Sequence, residues 1–118
     1  YVVDSGEVES TPDEVRDDLR DALDDHGEAA LDDVVDATTA RDASLDITTE
    51  VREGRPAPEI ADYARAVDAD VVAMGTRGRH GENRFLIGSV AERVVRTCPI
   101  PVLTVRQLTD EDPRRKTV

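Results

Sequence analysis

Residues 74–90 read Met74-Gly75-Thr76-Arg77-Gly78-Arg79-His80-Gly81-Glu82-Asn83-Arg84-Phe85-Leu86-Ile87-Gly88-Ser89-Val90. Asp70 and the apolar run Val71-Val72-Ala73-Met74 lead into them, and Val90, Val94 and Val95 follow at helical spacing. A short continuous apolar run ending in glycine is the pattern of a parallel strand buried on both faces. The stretch therefore predicts a strand, a Gly- and Arg-rich loop over 76–87, and a helix that Ser89 caps. Glycines at Gly75, Gly78 and Gly88 let backbone approach a ligand with no Cβ in the way. Unsatisfied amides at a helix start attract an anion, aided by the helix dipole, and the Ser89 hydroxyl can donate to a phosphate oxygen. Arg77, Arg79 and Arg84 add local positive charge. Ligands of an open parallel sheet sit beyond the carboxyl ends of its strands, and this loop leaves from that edge. The competing reading is a tight turn and a helix cap, with the arginines paired to surface acids.

Working outward, the chain opens on Tyr1-Val2-Val3-Asp4, which reads as the end of a buried strand, and Ser5 to Ser10 reads as a polar loop. Thr11-Pro12-Asp13-Glu14 has the form of a helix start: Thr11 as cap, Pro12 at the first helical position, Glu14 closing a capping box. Val15, Leu19, Leu23, Ala30, Leu31, Val34 and Val35 then recur at helical spacing to about Thr38 or a little beyond, with Gly27 as a weak point in the middle. Leu45, Ile47, Thr49 and Val51 alternate with polar residues and predict a half-buried strand. Gly54-Arg55-Pro56 is a turn, and Pro56 or Pro58 starts a helix whose inner stripe is Ile60, Ala61, Ala64 and Val67. Cys98-Pro99-Ile100-Pro101 breaks the helix after Ser89, and Val102 to Val105 is the last strand. Residues 107–118 read as a charged, disordered tail. Alternation of strand and helix over residues 1–105 predicts one α/β domain, an open parallel sheet with helices on both faces.

Composition narrows the function. The chain carries 27 acidic residues against 15 basic ones, a net charge of −12, and its single lysine is Lys116. Excess surface carboxylate keeps a protein hydrated, and high salt screens its self-repulsion. That balance disfavours nucleic acid, a polyanion. No run approaches the ~20 apolar residues of a membrane helix, so the expected location is cytoplasmic. One cysteine, Cys98, excludes an intramolecular disulfide and a thiolate cage, and two separated histidines do not make a zinc site.

Gly75-x2-Gly78-x9-Gly88-Ser89, placed between a buried strand and a helix, resembles the nucleotide loop of the universal stress protein family in its ATP-binding branch. The closing Thr97-Cys98-Pro99-Ile100-Pro101-Val102-Leu103-Thr104-Val105 and the opening Tyr1-Val2-Val3-Asp4 are similar to the family's last helix and strand and to the end of its second strand. The acidic composition resembles that of a haloarchaeal member. The resemblance implies a Rossmann-like fold of the adenine nucleotide alpha hydrolase type, with strand order 3-2-1-4-5. On that alignment the first strand, its Asp-containing loop and the first helix are absent, so the chain is expected to be N-terminally truncated. The resemblance further implies that Val2 contacts adenine, that Met74 and Gly75 border the adenosine, and that Gly78, Gly88, Ser89 and Val90 line the ribose and phosphates. Arg77 and Arg79 are added as outer phosphate contacts. ATP, AMP or ADP with Mg2+ is the implied ligand, and a homodimer through Val102–Val105 the implied assembly.

Three function classes follow. A stress- or energy-responsive nucleotide-binding module fits the complete glycine pattern. A slow ATPase or phosphotransferase needs a positioned base and a metal carboxylate, and neither is evident, so no catalytic residue and no protein-held metal are assigned. A nucleotide-free dimeric interaction protein is the remaining alternative. A response-regulator receiver would share the sheet but requires a lysine that the body of the chain lacks.

Overall fold

A three-residue strand, β1 (Val2–Asp4), opens the fold. The computed structural model describes residues 1–76 and 87–106. The elements that follow are α1 (Ser5–Glu9), α2 (Asp13–Arg41), β2 (Arg52–Gly54), α3 (Pro56–Ala66), β3 (Val72–Gly75), α4 (Ser89–Thr97) and β4 (Val102–Val105). Among the described residues no helix is long and apolar enough to cross a membrane.

The strands pair in parallel as β1–β2 and β3–β4, each pair a two-stranded sheet. Parallel neighbours need a long crossover, which α1 and α2 supply in the first case and the segment carrying α4 in the second. These are the neighbours that the order 3-2-1-4-5 requires, and the α/β class stands as expected. The chain divides into two compact units, Tyr1–Glu59 and Ile60–Val118, with the division inside α3.

In the first unit Val3, Val8 and Ala57 are buried. The segment 5–10, expected as a loop, is largely helix. Asp4 caps it, its Oδ1 accepting the Gly6 N–H at 2.9 Å. That explains why Thr11 does not cap α2 as expected. Its hydroxyl instead donates to the Glu7 carbonyl at 2.9 Å, at the end of α1, and Pro12 takes the N-cap position with no side-chain bond. Arg16 completes the corner. Its Nε donates to the Val8 carbonyl and its Nη2 to those of Glu9 and Thr11, at 3.0–3.2 Å, while Nη1 pairs with Asp13 at 2.8 Å.

The expected strand at Leu45 to Val51 is displaced. Register places Val2 opposite Arg52 and Asp4 opposite Gly54. Tyr1 N donates to the Glu50 carbonyl, and the Tyr1 carbonyl accepts from Arg52 N, each at 2.9 Å. A strand exists only where it has a partner, and Leu45, Ile47 and Thr49 lie beyond the reach of β1; Leu45 is exposed.

In the second unit Ala61, Ala64, Ala91 and Val94 are buried. Val67, expected on the inner stripe of α3, is 52% exposed, because it falls just past the helix end. There Asp68 adopts φ 55°, its N–H bonds the Arg65 carbonyl, and Ala69 N–H bonds that of Ala64. This pair of bonds is the Schellman closure of a helix. The run Val71-Val72-Ala73-Met74, expected as a strand buried on both faces, forms β3 one residue later, at Val72–Gly75. Val72 and Met74 are half-buried while Ala73 and Gly75 are exposed, and β4 repeats the pattern with Leu103 and Val105 outward. Within the described residues one face of this sheet is covered and the other is open.

Candidate functional site

The carboxyl end of β3 and the start of α4 meet in the second unit. Val72 opposes Val102 and Gly75 opposes Val105, so the two strands end side by side, β3 at Gly75 and β4 at Val105. Thr76 follows directly. Its N–H donates to the Val105 carbonyl at 3.1 Å, and its own carbonyl accepts the Gly88 N–H. Through Thr76 the backbone thus ties the ends of β3 and β4 to the first residue of the helix entry.

Gly88 occupies the N-cap of α4, extended at φ −66°, ψ 158°, and makes no side-chain cap bond. Ser89 was expected in that role. It is instead the first helical residue, because the Gly88 carbonyl already accepts the first intrahelical bond, from Glu92 N at 2.9 Å. The Ser89 side chain is exposed and unused for capping. The amides of Ser89, Val90 and Ala91 precede that first bond and have no intrahelical acceptor. Glycine without a side chain leaves the approach to them open, and the helix dipole makes the approach favourable to an anion. Among the described residues the Gly88 N–H is spent, since it donates to the Thr76 carbonyl. Ala91, buried, and Val94 anchor the helix beneath, so the amides are held on a packed support.

Two groups complete the surroundings. Glu92, in the first turn, pairs with Arg96 at 3.4 Å. The Thr76 hydroxyl is buried and has no hydrogen-bond partner among the described residues. Among the described residues no group of histidine, cysteine, aspartate or glutamate is arranged to hold a metal ion.

Of the site residues expected from sequence, Met74, Gly75, Gly88, Ser89 and Val90 are brought to this one strand-to-helix junction. Val2 belongs to the first unit, half-buried in β1 opposite Arg52. Arg77, Gly78 and Arg79, with His80, Arg84, Phe85 and the tail 107–118, lie outside the described residues. Sequence reasoning missed Thr76 and the Ala91 amide. The signal for Thr76 was available: a hydroxyl immediately after the glycine that ends an apolar run.

The profile of the universal stress protein family matches residues 1–106. The universal stress protein MJ0531 of Methanocaldococcus jannaschii is 40% identical over 108 residues, and the match covers 91% of this chain and 62% of that protein. The chain thus spans less than two thirds of that relative. A universal stress protein of Methanothermobacter thermautotrophicus is 35% identical over 107 residues, covering 90% of this chain and 73% of its own. Among solved structures, hypothetical protein MJ0577 aligns with a TM-score of 0.78 at 24% identity, over 92% of this chain and 73% of that one. Hypothetical protein PH0823 aligns with a TM-score of 0.71 at 21% identity, over 94% and 75%. These two likenesses establish the shared fold.

Proposed function

Because this chain belongs to the universal stress protein family, we propose that it is an adenine-nucleotide-binding module whose occupancy reports energy or stress state. The observation that carries the reading is the α4 entry. A glycine N-cap, amides of Ser89, Val90 and Ala91 without an intrahelical acceptor, and a Thr76 hydroxyl without a partner among the described residues lie at the carboxyl end of a parallel strand pair. This donor set fits a phosphate, which takes several N–H and O–H bonds at once.

In this reading Met74 and Gly75 border the adenosine, and Ser89 and Val90 hold the phosphates, with Gly88 as the open approach. Arg77, Gly78 and Arg79 act from the adjoining loop. Mg2+ arrives with the nucleotide, on its phosphate oxygens. The bound nucleotide supplies no chemistry that the chain is asked to perform; the chain binds and orients it. The protein works in a cytoplasm rich in salt, where its net charge of −12 is screened. It assembles as a homodimer through β4, where Leu103 and Val105 are each 56% exposed, and pairing would cover apolar surface and a strand edge.

Calorimetric titration of the protein with Mg-ATP in KCl-rich buffer tests the reading. Saturable binding, weakened by Ser89→Ala and by Gly88→Val, is the expected result. A folded protein that takes up no adenine nucleotide would return the chain to a ligand-free interaction module.

A further inference from the structure

We propose that the edge of β2 facing away from β1, continued back along residues 45–49, is a self-association surface distinct from β4. On it residues 45–49 of one copy pair antiparallel with residues 45–49 of a second copy, Ile47 opposite Ile47. The ladder with β1 decides which groups are free. Tyr1 N donates to the Glu50 carbonyl and the Tyr1 carbonyl accepts from Arg52 N, so even-numbered residues turn their backbone groups toward β1. These groups alternate sides along an extended chain, and Ile47 and Thr49 turn theirs to the opposite edge. Residues 45–51 run without turn or bend, and among the described residues neither Ile47 nor Thr49 makes a backbone hydrogen bond. An extended segment with free N–H and C=O groups is a template for another strand, and this one has no proline or lysine to guard it.

The occupant follows from self-complementarity. With Ile47 on the twofold axis, Leu45 faces Thr49 and Asp46 faces Thr48, so no like charges are opposed. Moving the axis to Thr48 sets Asp46 against Glu50, an unfavourable cross-strand pair. In the Ile47 register the two Ile47 residues exchange their backbone bonds, and each Thr49 N–H reaches a Leu45 carbonyl. The ladder stops there, because the Leu45 N–H already bonds the Asp42 carbonyl at 3.3 Å. Apolar surface lies at the same end. Glu53 pairs with Arg20 of α2 at 2.7 Å, so odd-numbered side chains of this strand face α2. Ile47 stands about 20 Å from Glu53 along the strand, and Val34 about 21 Å from Arg20 along a helix that runs back toward the strand's amino end. Val34, two turns beyond buried Gly27 on the inner stripe, is 58% exposed, and Leu45 is 54% exposed. A twofold axis normal to the ladder gathers these surfaces from both copies on one face. Each copy carries a net charge of −12, so pairing requires salt to screen the repulsion.

Sedimentation velocity of the full chain and of its Leu103→Asp, Ile47→Pro and doubly substituted forms, in ~2 M and ~0.1 M KCl, tests the surface. Leu103→Asp, which closes β4 to pairing with a charge, is expected to be dimeric at high KCl and monomeric at low KCl. Adding Ile47→Pro, which removes an outward N–H, is expected to leave a monomer at both, with the same urea midpoint at low KCl. In a Cys98→Ser background, Asp46→Cys together with Thr48→Cys is expected to give a covalent dimer on oxidation, since facing residues lie within disulfide reach; Thr48→Cys alone is not. This crosslink decides the matter should Ile47→Pro weaken the fold. A Leu103→Asp protein that is monomeric at both KCl concentrations would overturn the second copy as occupant and leave the edge to an extended segment of another protein. A dimer that survives Ile47→Pro, or a crosslink formed by Thr48→Cys alone, would overturn the proposed pairing.

Discussion

The ring of Tyr1 occupies the space that a side chain on Gly27 would need: a Cβ built there lies 2.6 Å from Tyr1 Cδ1. The glycine that weakens α2 on propensity is the position at which β1 leans on the helix, and the helix runs through it unbroken for 29 residues. The same ring meets His26 edge-on, with centroids 6.0 Å apart. Gly27→Ala is therefore expected to destabilise the protein by about 1 kcal/mol, the overpacking cost exceeding the propensity gain. In a Tyr1→Ala background the same substitution is expected to stabilise by about 0.5–1 kcal/mol. Urea denaturation of the four proteins measures the change of sign, and its absence would remove the contact from the account of α2.

Asp68 holds a left-handed conformation at φ 55° to close α3. Only glycine adopts that region without a Cβ penalty. Asp68→Gly is expected to raise stability by about 1 kcal/mol, and Asp68→Val to lower it. A thermal melt of each decides the point, and a destabilised glycine variant would mean the Asp68 side chain contributes more than its backbone costs.

Arg16 bonds three carbonyls around the α1–α2 corner and pairs with Asp13. Lysine keeps the charge but not the planar fork. Arg16→Lys is expected to cost about 1–2 kcal/mol, spread over the lost hydrogen bonds. Hydrogen exchange should localise the loss to residues 5–12; a uniform loss would argue against a local clamp.

Asp42 lies just past α2, and the Ser44 hydroxyl and N–H both donate to its Oδ1, at 2.6 and 3.0 Å. These bonds, the hydroxyl's first, hold its carboxyl below the usual carboxylate range. A depressed folded-state pKa contributes stability that is present above the unfolded value and is lost as pH falls through the folded one. The effect is thus confined to acid. In Ser44→Ala the Asp42 titration followed by NMR should move up toward that of an ordinary aspartate. An unmoved titration would show that the N–H alone sets it.

With 27 acidic residues against 15 basic, like-charge repulsion should weaken the fold at low ionic strength. Raising KCl from ~0.1 to ~2 M is expected to increase the urea midpoint, steeply at first as the screening length shortens. A midpoint that falls would separate this chain from salt-adapted proteins.

The sequence by itself carried the strand–helix alternation, the parallel class, and the junction at which Gly75, Gly88 and Ser89 meet, because apolar period and glycine placement are local properties of the chain. It misplaced what depends on a partner. The second strand lies at Arg52–Gly54, since register against β1 rather than the alternation of Leu45, Ile47 and Thr49 decides which residues form a ladder. Residues 5–9 became helix because Asp4 caps them, which then released Thr11 from the cap expected of it. Gly88 rather than Ser89 became the N-cap, since its carbonyl accepts the first helical bond. That the Thr76 hydroxyl is buried with no partner among the described residues is likewise visible only in the fold, for whether a polar atom has a partner is a property of the packed structure and not of the residue.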